Sequence, residues 1–428
     1  MTQKKKKKKP IWKRYKLVLP GKQKAPVQTT GEKRTVVRHR LRLRKEVIYV
    51  LLGIVALLCL IFIPRSIQSS NLKKLGYNKE EIKAIREQKL ASRLLDNSYY
   101  SPYLASCIKD KSVNTDYLNF YAIIKGDRTL SAQDFLLIHR LREKGYTDGQ
   151  IENMYKSLKF YEMTPLLVFD YQYNEQAYID DCKNHADNSP NNFTLSGNYY
   201  TPYLDTHPVD DESSVEMLVN KSYYLSESYV PANLTGMSNW YAAEGRELAG
   251  VAADAFKELC DGGRAVGVTF YTTSAYRSYE QQDALYKSYV QAYGQERTDE
   301  LSARPGFSEH QTGFTVDVAA TNEDDKTDFE QTNAYRWLSM NCMDFGWILR
   351  YPEGKKDITG YDFESWHYRY VGKDVARAVY EKNMTFDEFY MLYLKPWSGD
   401  DVKPSEAILK ATDFRAKAEP EPEETPNS

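Results

Sequence analysis

The sequence predicts an α+β protein in which helices flank a small sheet. Ahead of the sheet come a polar helical stretch and one membrane-spanning helix. Three observations carry this. From Ser214 onward the pattern runs helix, strand, loop, helix, strand. Between residues 66 and 205 apolar side chains recur at helical spacing, among them Leu72, Leu75, Ile82 and Ile85, then Leu136, Leu137 and Leu141. Val47 to Pro64 holds no charged residue, just enough to span a bilayer as a helix.

The first 45 residues carry 18 Lys and Arg against one acid, Glu32. The other residues carry 40 basic and 58 acidic groups, so a net charge of −1 conceals a basic end and an acidic body. The basic run fixes orientation: residues 1–45 form a cytoplasmic tail, 46–65 the membrane helix, and everything after Arg65 lies outside the cytoplasm. A cleaved leader has a shorter basic start and small residues at its cut, unlike Pro64-Arg65-Ser66. A nucleic-acid role would rest on Lys4 to Lys9 alone and would put the acidic body across the membrane from its partner, so none is expected. The 35 tyrosines suit half-wet surfaces and fit a polar ligand.

Residues 66–205 read as a helical extracytoplasmic spacer or accessory region, with a wall-binding role as the alternative. Two Gly-Tyr turns, Gly76-Tyr77 and Gly145-Tyr146, each precede a cap candidate, Asn78 and Thr147. Asp187 to Pro202 reads as a loop, and the N-x-[ST] sequons at Asn192, Asn220, Asn233 and Asn383 read as chance. Cys107, Cys182, Cys260 and Cys342 permit two disulfides or four buried thiols, which spacing alone does not decide. Val215 to Val219 is a short apolar stretch ending in a turn at Asn220-Lys221. Asn239 to Cys260 reads as a helix stopped by Asp261-Gly262-Gly263, and Val266 to Tyr271 as a strand. Residues 206–395 form one domain, and residues 396–428 an acidic, disordered tail.

Chemistry concentrates in three segments. In Ser308-Glu309-His310-Gln311-Thr312-Gly313-Phe314-Thr315-Val316-Asp317, an imidazole and a carboxylate stand seven residues apart, the carboxylate on an alternating strand. His367 follows in Glu364-Ser365-Trp366-His367. Alone, each of these residues reads as an ordinary hydrogen-bonded side chain. Together, two imidazoles and one carboxylate make a three-ligand zinc set with a position left for water. Glu364 is then a spare carboxylate suited to general-base work. On a straight strand Glu364 and His367 face opposite sides, so their convergence requires a turn or bulge near Ser365. The third segment, Thr272-Thr273-Ser274-Ala275-Tyr276-Arg277-Ser278, follows a strand and precedes a helix carrying Gln281 and Gln282. A guanidinium there suits a substrate carboxylate, or a surface ion pair.

Taken together, Ser-x-His-x-x-Gly-x-x-x-Asp at 308–317, Glu-x-Trp-His at 364–367, and Ser-x-Tyr-Arg-Ser with Gln282 at 274–282 resemble the VanY-type D-alanyl-D-alanine carboxypeptidases. These are zinc peptidases akin to VanX and the LAS enzymes. Val219-Asn220-Lys221, Tyr229-Val230-Pro231, Arg350-Tyr351-Pro352 and Trp366 to Gly372 add to the likeness, which covers about residues 214–395. Thr315 stands where that family usually has Ala, and Ala275 where Gly is commoner; neither removes a ligand. The resemblance implies a small antiparallel-sheet zinc peptidase domain holding one Zn2+ on His310, Asp317 and His367. It makes Glu364 the base, Arg277 a catalytic and substrate group, and Ser274, Gln282 and Ser308 substrate-side residues. The implied reaction releases the terminal D-alanine of peptidoglycan stem peptides, in a bacterial, Gram-positive setting. The alternatives keep the zinc and change the bond, to L,D-carboxypeptidase or stem endopeptidase, or discard catalysis for a membrane-tethered wall-binding role.

Overall fold

The computed structural model of the chain describes residues 45–169, 174–185, 189–321 and 328–416. The basic run at Lys4 to Lys9 and the final acidic residues from 417 lie outside them. Contacts divide the chain at Ser66. On the amino-terminal side, the described residues belong to one helix, Lys45–Leu75, long and apolar enough to cross a membrane, with Pro64 inside it. Its apolar stretch is bare among the described residues: Leu57, Leu60 and Phe62 are exposed. Bare leucines on a continuous helix are stable in hydrocarbon and costly in water.

After Ser66 the fold is α+β, with two apolar cores. The first belongs to the helical region and is built from residues such as Leu94, Ile108, Phe120, Leu137 and Ile151. The Gly-Tyr echo is real in three dimensions. Gly76 and Gly145 both take positive φ, at 128° and 98°. The tyrosine after each bonds back five residues, Tyr77 to Leu72 and Tyr146 to Leu141, and is buried. A capped helix follows each time: Asn78 with Glu81, and Thr147 with Gln150, form reciprocal capping boxes.

The same core takes in Phe193, Leu195, Ile358, Leu392 and Ile408. The helical region is therefore packed onto the chain that follows it rather than standing apart as a spacer. The expected tail is also corrected. Residues 396–416 are laid against the helical region: Trp397 lies under the Arg140 guanidinium at 3.5 Å, Ser398 N–H donates to Glu143, and Ile408 is buried in a helix, Glu406–Ala411. An acidic average composition masked four well-placed apolar residues, Trp397, Ile408, Leu409 and Phe414. Cys107, Cys182, Cys260 and Cys342 are buried free thiols, so the disulfide expectation is set aside.

The second core underlies a four-stranded antiparallel sheet: β1 (Phe270–Ser274), β2 (Thr315–Ala320), β3 (Trp347–Leu349) and β4 (His367–Tyr370), in the order β1-β2-β4-β3. The helix Gly250–Ala265 lays Ala252, Phe256 and Leu259 against this sheet. Here the sequence reading was wrong twice. Residues 239–249 are turn and short strand rather than helix, and the helix runs through Gly262-Gly263 instead of stopping there. Those glycines serve close approach: a Cβ on Gly262 would stand 2.6 Å from the Phe345 ring, and one on Gly263 2.7 Å from the Phe270 ring and 3.0 Å from the Val268 carbonyl. The strand accordingly starts later, at Phe270, after a left-handed turn at Gly267. Gly263→Ala is expected to destabilise by about 1–2 kcal/mol despite Ala's better helix propensity, because the clash meets backbone and a core ring. The denaturant midpoint measures this, and an unchanged or raised midpoint would refute the packing role.

Candidate active site

Register does most of the assembly. Asp317 on β2 pairs with His367 on β4, and on the other side with Ser274 on β1. These residues form one row across three strands. The pairing shifts between Thr272 and Ser274, so Thr273 is an extra residue of a β-bulge. Thr272 and Thr273 hydroxyls both donate to the Asp317 carbonyl, at 3.0 and 3.2 Å, and pin it. The bulge turns the chain after Ser274 toward the row.

His310 arrives from a 3-10 turn, Glu309–Thr312, closed by Gly313 in the left-handed region. Only glycine fits there: a Cβ would come within 2.9 Å of Pro231 and 3.1 Å of the Ala249 nitrogen. Thr312 and Thr315 hydroxyls both donate to the Glu309 carbonyl, at 2.6 and 3.2 Å, so the hydroxyl of Thr315 is spent on holding this turn. At β4 the required turn is present. His367 N–H bonds back to the Glu364 carbonyl at 3.2 Å, and β4 begins only at His367. Glu364 and His367 thereby meet, with Oε2 3.4 Å from Nδ1.

His310, Asp317 and His367 offer ligand atoms all within 4.8 Å of one another. His310 Nε2 lies 3.3 Å from Asp317 Oδ2, and His367 Nδ1 lies 3.2 Å from Asp317 Oδ1. Two ligands at zinc distances and tetrahedral angles stand about 3.3 Å apart. Asp317 Oδ1 is buried and accepts no hydrogen bond among the described residues, a costly arrangement unless a cation takes it. The far nitrogens are already committed: His310 Nδ1 to the Ala275 carbonyl at 2.7 Å, His367 Nε2 to Glu309 Oε2 at 3.4 Å. In its neutral form each ring would keep its proton on that far nitrogen and turn its other lone pair inward. The residues fit a zinc ion.

The charges agree. Burial pushes the Glu364 carboxyl up to about 7, with Asp317 and Glu309 adding to the rise. Burial works against the charge of His367, yet Asp317, Glu309 and Glu364 outweigh it and hold the imidazolium up to about 9. A cage that favours a proton on Nδ1 favours a metal cation there as well. His310 is shifted the other way, by burial and then by the nearby Arg277 charge.

Arg277 is gripped from behind. Its guanidinium donates to Gln282 Oε1 at 2.8 Å and to Ser274 Oγ at 2.9 Å, and its own N–H bonds to the His310 carbonyl. Gln282 is buried and gives its amide to the Ala303 carbonyl at 2.7 Å, which places it behind the arginine as its support. Ser308 is buried at the start of the His310 turn. A cavity of about 510 Å³, lined among others by Arg140, Lys144, Tyr199 and Tyr223, includes none of these residues. Donor geometry, and not volume, locates the site.

Sequence reasoning passed over Glu309. It is buried, with Oε1 2.8 Å from Arg350 Nε and 3.1 Å from Arg369 Nη1. Arg350 in turn forks onto Asp387, at 2.6 and 3.1 Å. These guanidiniums overcome burial and hold the Glu309 carboxyl far below the usual carboxylate range. An acid next to His310, a candidate ligand, was the one available signal; Asp387 gave none.

A small antiparallel sheet carrying a His, Asp, His cluster beside a half-buried glutamate, Glu364, defines a metallopeptidase. Residues 245–373 match the VanY family, described as D-alanyl-D-alanine carboxypeptidase. The chain is 32% identical over 227 residues to the putative carboxypeptidase YodJ of Bacillus subtilis (strain 168), a match covering 50% of this chain and 82% of that one. It is 37% identical over 142 residues to a D-alanyl-D-alanine carboxypeptidase of Enterococcus faecalis (strain ATCC 700802 / V583), covering 31% of this chain and about half, 52%, of that one. Among solved structures, a mutant of the vancomycin-resistance D,D-pentapeptidase VanY in complex with Zn(II) is 31% identical, with 42% of this chain and 99% of that chain covered at a TM-score of 0.37. The chain belongs to the VanY family of D-alanyl-D-alanine carboxypeptidases.

Proposed function

We propose that this protein is a zinc-dependent D-alanyl-D-alanine carboxypeptidase that trims peptidoglycan stem peptides outside the cell membrane. One observation carries the reading: His310, Asp317 and His367 converge, the far nitrogen of each ring already facing an oxygen, with the Glu364 carboxylate 3.4 Å from His367 Nδ1. A zinc ion on these ligands would activate a water molecule and polarise the scissile carbonyl. Glu364 takes the proton from the attacking water and passes it to the departing amine of D-alanine. Arg277, held by Ser274 and Gln282, presents its remaining N–H groups to the terminal carboxylate. Ser308, buried at the start of the His310 turn, is assigned to the substrate side. The helix Lys45–Leu75 anchors the chain, with the basic residues 1–45 on the cytoplasmic side.

The test is incubation of the purified full chain in detergent with tri-, tetra- and pentapeptide stems. D-Alanine should leave the pentapeptide, cease with a chelator, and resume on adding zinc. Cutting that persists unchanged in metal-stripped protein defeats the proposal, and preference for the tetrapeptide would make the enzyme an L,D-carboxypeptidase on the same site. Arg277→Ala is expected to lower kcat/KM by about 10²-fold, the loss of charge-assisted hydrogen bonds to a carboxylate, without loss of zinc. Steady-state kinetics beside a zinc assay checks this.

A further inference from the structure

We propose that Asp387 is a positioning residue for His367, and that the helical region before residue 205 holds it in place. The inference rests on the zinc reading above and concerns residues outside the ligand set. From the imidazole outward, the buried contacts alternate in sign. His367 Nε2 meets Glu309 Oε2 at 3.4 Å, Glu309 Oε1 meets Arg350 Nε at 2.8 Å, and Arg350 closes a two-pronged pair on Asp387. Asn220, buried on the opposite side, donates to Asp387 Oδ1 at 2.8 Å and fixes that carboxylate's rotation. Every side chain in this line is at most 5% exposed, so none has water as a substitute partner. Planar forks transmit orientation: a turned Asp387 releases Arg350, and Arg350 then draws Glu309 from the imidazole.

Asp387 lies in a one-turn helix, Phe386–Phe389, whose neighbour Glu388 ties it to the helical region. Glu388 Oε2 takes the Thr385 N–H and hydroxyl, both at 3.0 Å. Its other oxygen accepts the hydroxyl of Thr164 at 2.6 Å, and Thr164 is buried in a 3-10 turn of that region, Thr164–Leu167. A side chain of the helical region, Thr164, thus stands four links from Glu309, through Glu388, Asp387 and Arg350.

The experiment measures zinc affinity of the full-length protein in detergent by competition with a chromophoric chelator, at a temperature where all variants are folded. Asp387→Asn keeps shape and removes charge; it should weaken zinc binding about 10–100-fold, the usual effect of losing an outer partner of a ligand. Thr164→Val removes one hydroxyl and no charge, and should weaken binding several-fold in the same direction. Ile151→Val trims the core of the helical region without touching the short helix or the charged line and should leave zinc affinity unchanged. Wild-type affinity in Asp387→Asn, or weakening in Ile151→Val equal to that in Thr164→Val, overturns the inference, and wild-type affinity in Thr164→Val alone removes the helical region from it. His310→Ala separates it from the zinc reading: if that variant alone loses zinc, only the positioning role falls, and if the wild type binds no zinc, both fall.

Discussion

Glu364→Ala is expected to retain its zinc and lose D-alanine release by about 10²–10⁴-fold, the range of a lost general base. Glu364 stands outside the three-residue ligand cluster, so its removal leaves the donor set complete. Its Oε2 sits 3.4 Å from His367 Nδ1, on the inward side of the imidazole where a ligand water would lie. Burial raises its proton affinity to about 7, which suits a group that must accept a proton near neutrality and later return it. The sign of the pH effect follows. The base works only when ionised, so kcat/KM falls as pH drops through its pKa. A bound cation pulls against burial, placing that acid limb between the ordinary glutamate value of about 4.3 and about 7. Glu364→Gln should abolish the limb along with the rate. Zinc content together with D-alanine release tests the assignment, and a Glu364→Ala protein that releases D-alanine at the wild-type rate sinks it.

The meeting of His310, Asp317 and His367 was legible because these residues sit on patterns of short period. Alternation along 314–319 put Asp317 on one strand face, and the three-residue gap between Glu364 and His367 demanded the turn that the chain makes. The support was not legible. Glu309, Arg350 and Asp387 meet across separations of 41 and 37 residues, and no local spacing marks a buried ion pair closed by tertiary packing. Gly262 and Gly263 misled for the same reason. Glycine as helix stop and glycine as contact point look alike until the facing rings of Phe345 and Phe270 are known. The segment after residue 396 failed on averaging, since a few apolar side chains at the right positions suffice to bind an acidic segment to an existing core.

Glu309→Ala should cost stability, about 3–5 kcal/mol, as well as zinc. Its carboxylate is the shared partner of two fully buried guanidiniums, and removing it leaves Arg350 with Asp387 and Arg369 with the backbone carbonyls of Val215, Met217 and Tyr370. Uncompensated buried charge is what makes a broken interior pair expensive. The pH dependence has a definite sign. Glu309's folded pKa is depressed, so its contribution is present above the unfolded value of about 4.3 and disappears only as pH falls toward the depressed value. Glu364 is the opposite case. Its folded pKa is raised, so in metal-free protein at neutral pH its ionised form opposes folding, and Glu364→Ala should be neutral or mildly stabilising. Two carboxylates facing the same imidazole are therefore expected to separate in their effect on stability, Glu309 as a structural group and Glu364, on the proposed function, as the base. Denaturant midpoints of the two metal-free variants at pH 7 decide it. Equal midpoints, or a Glu309→Ala protein as stable as the wild type, would mean that the arginines find other partners and that Glu309 does not organise the site.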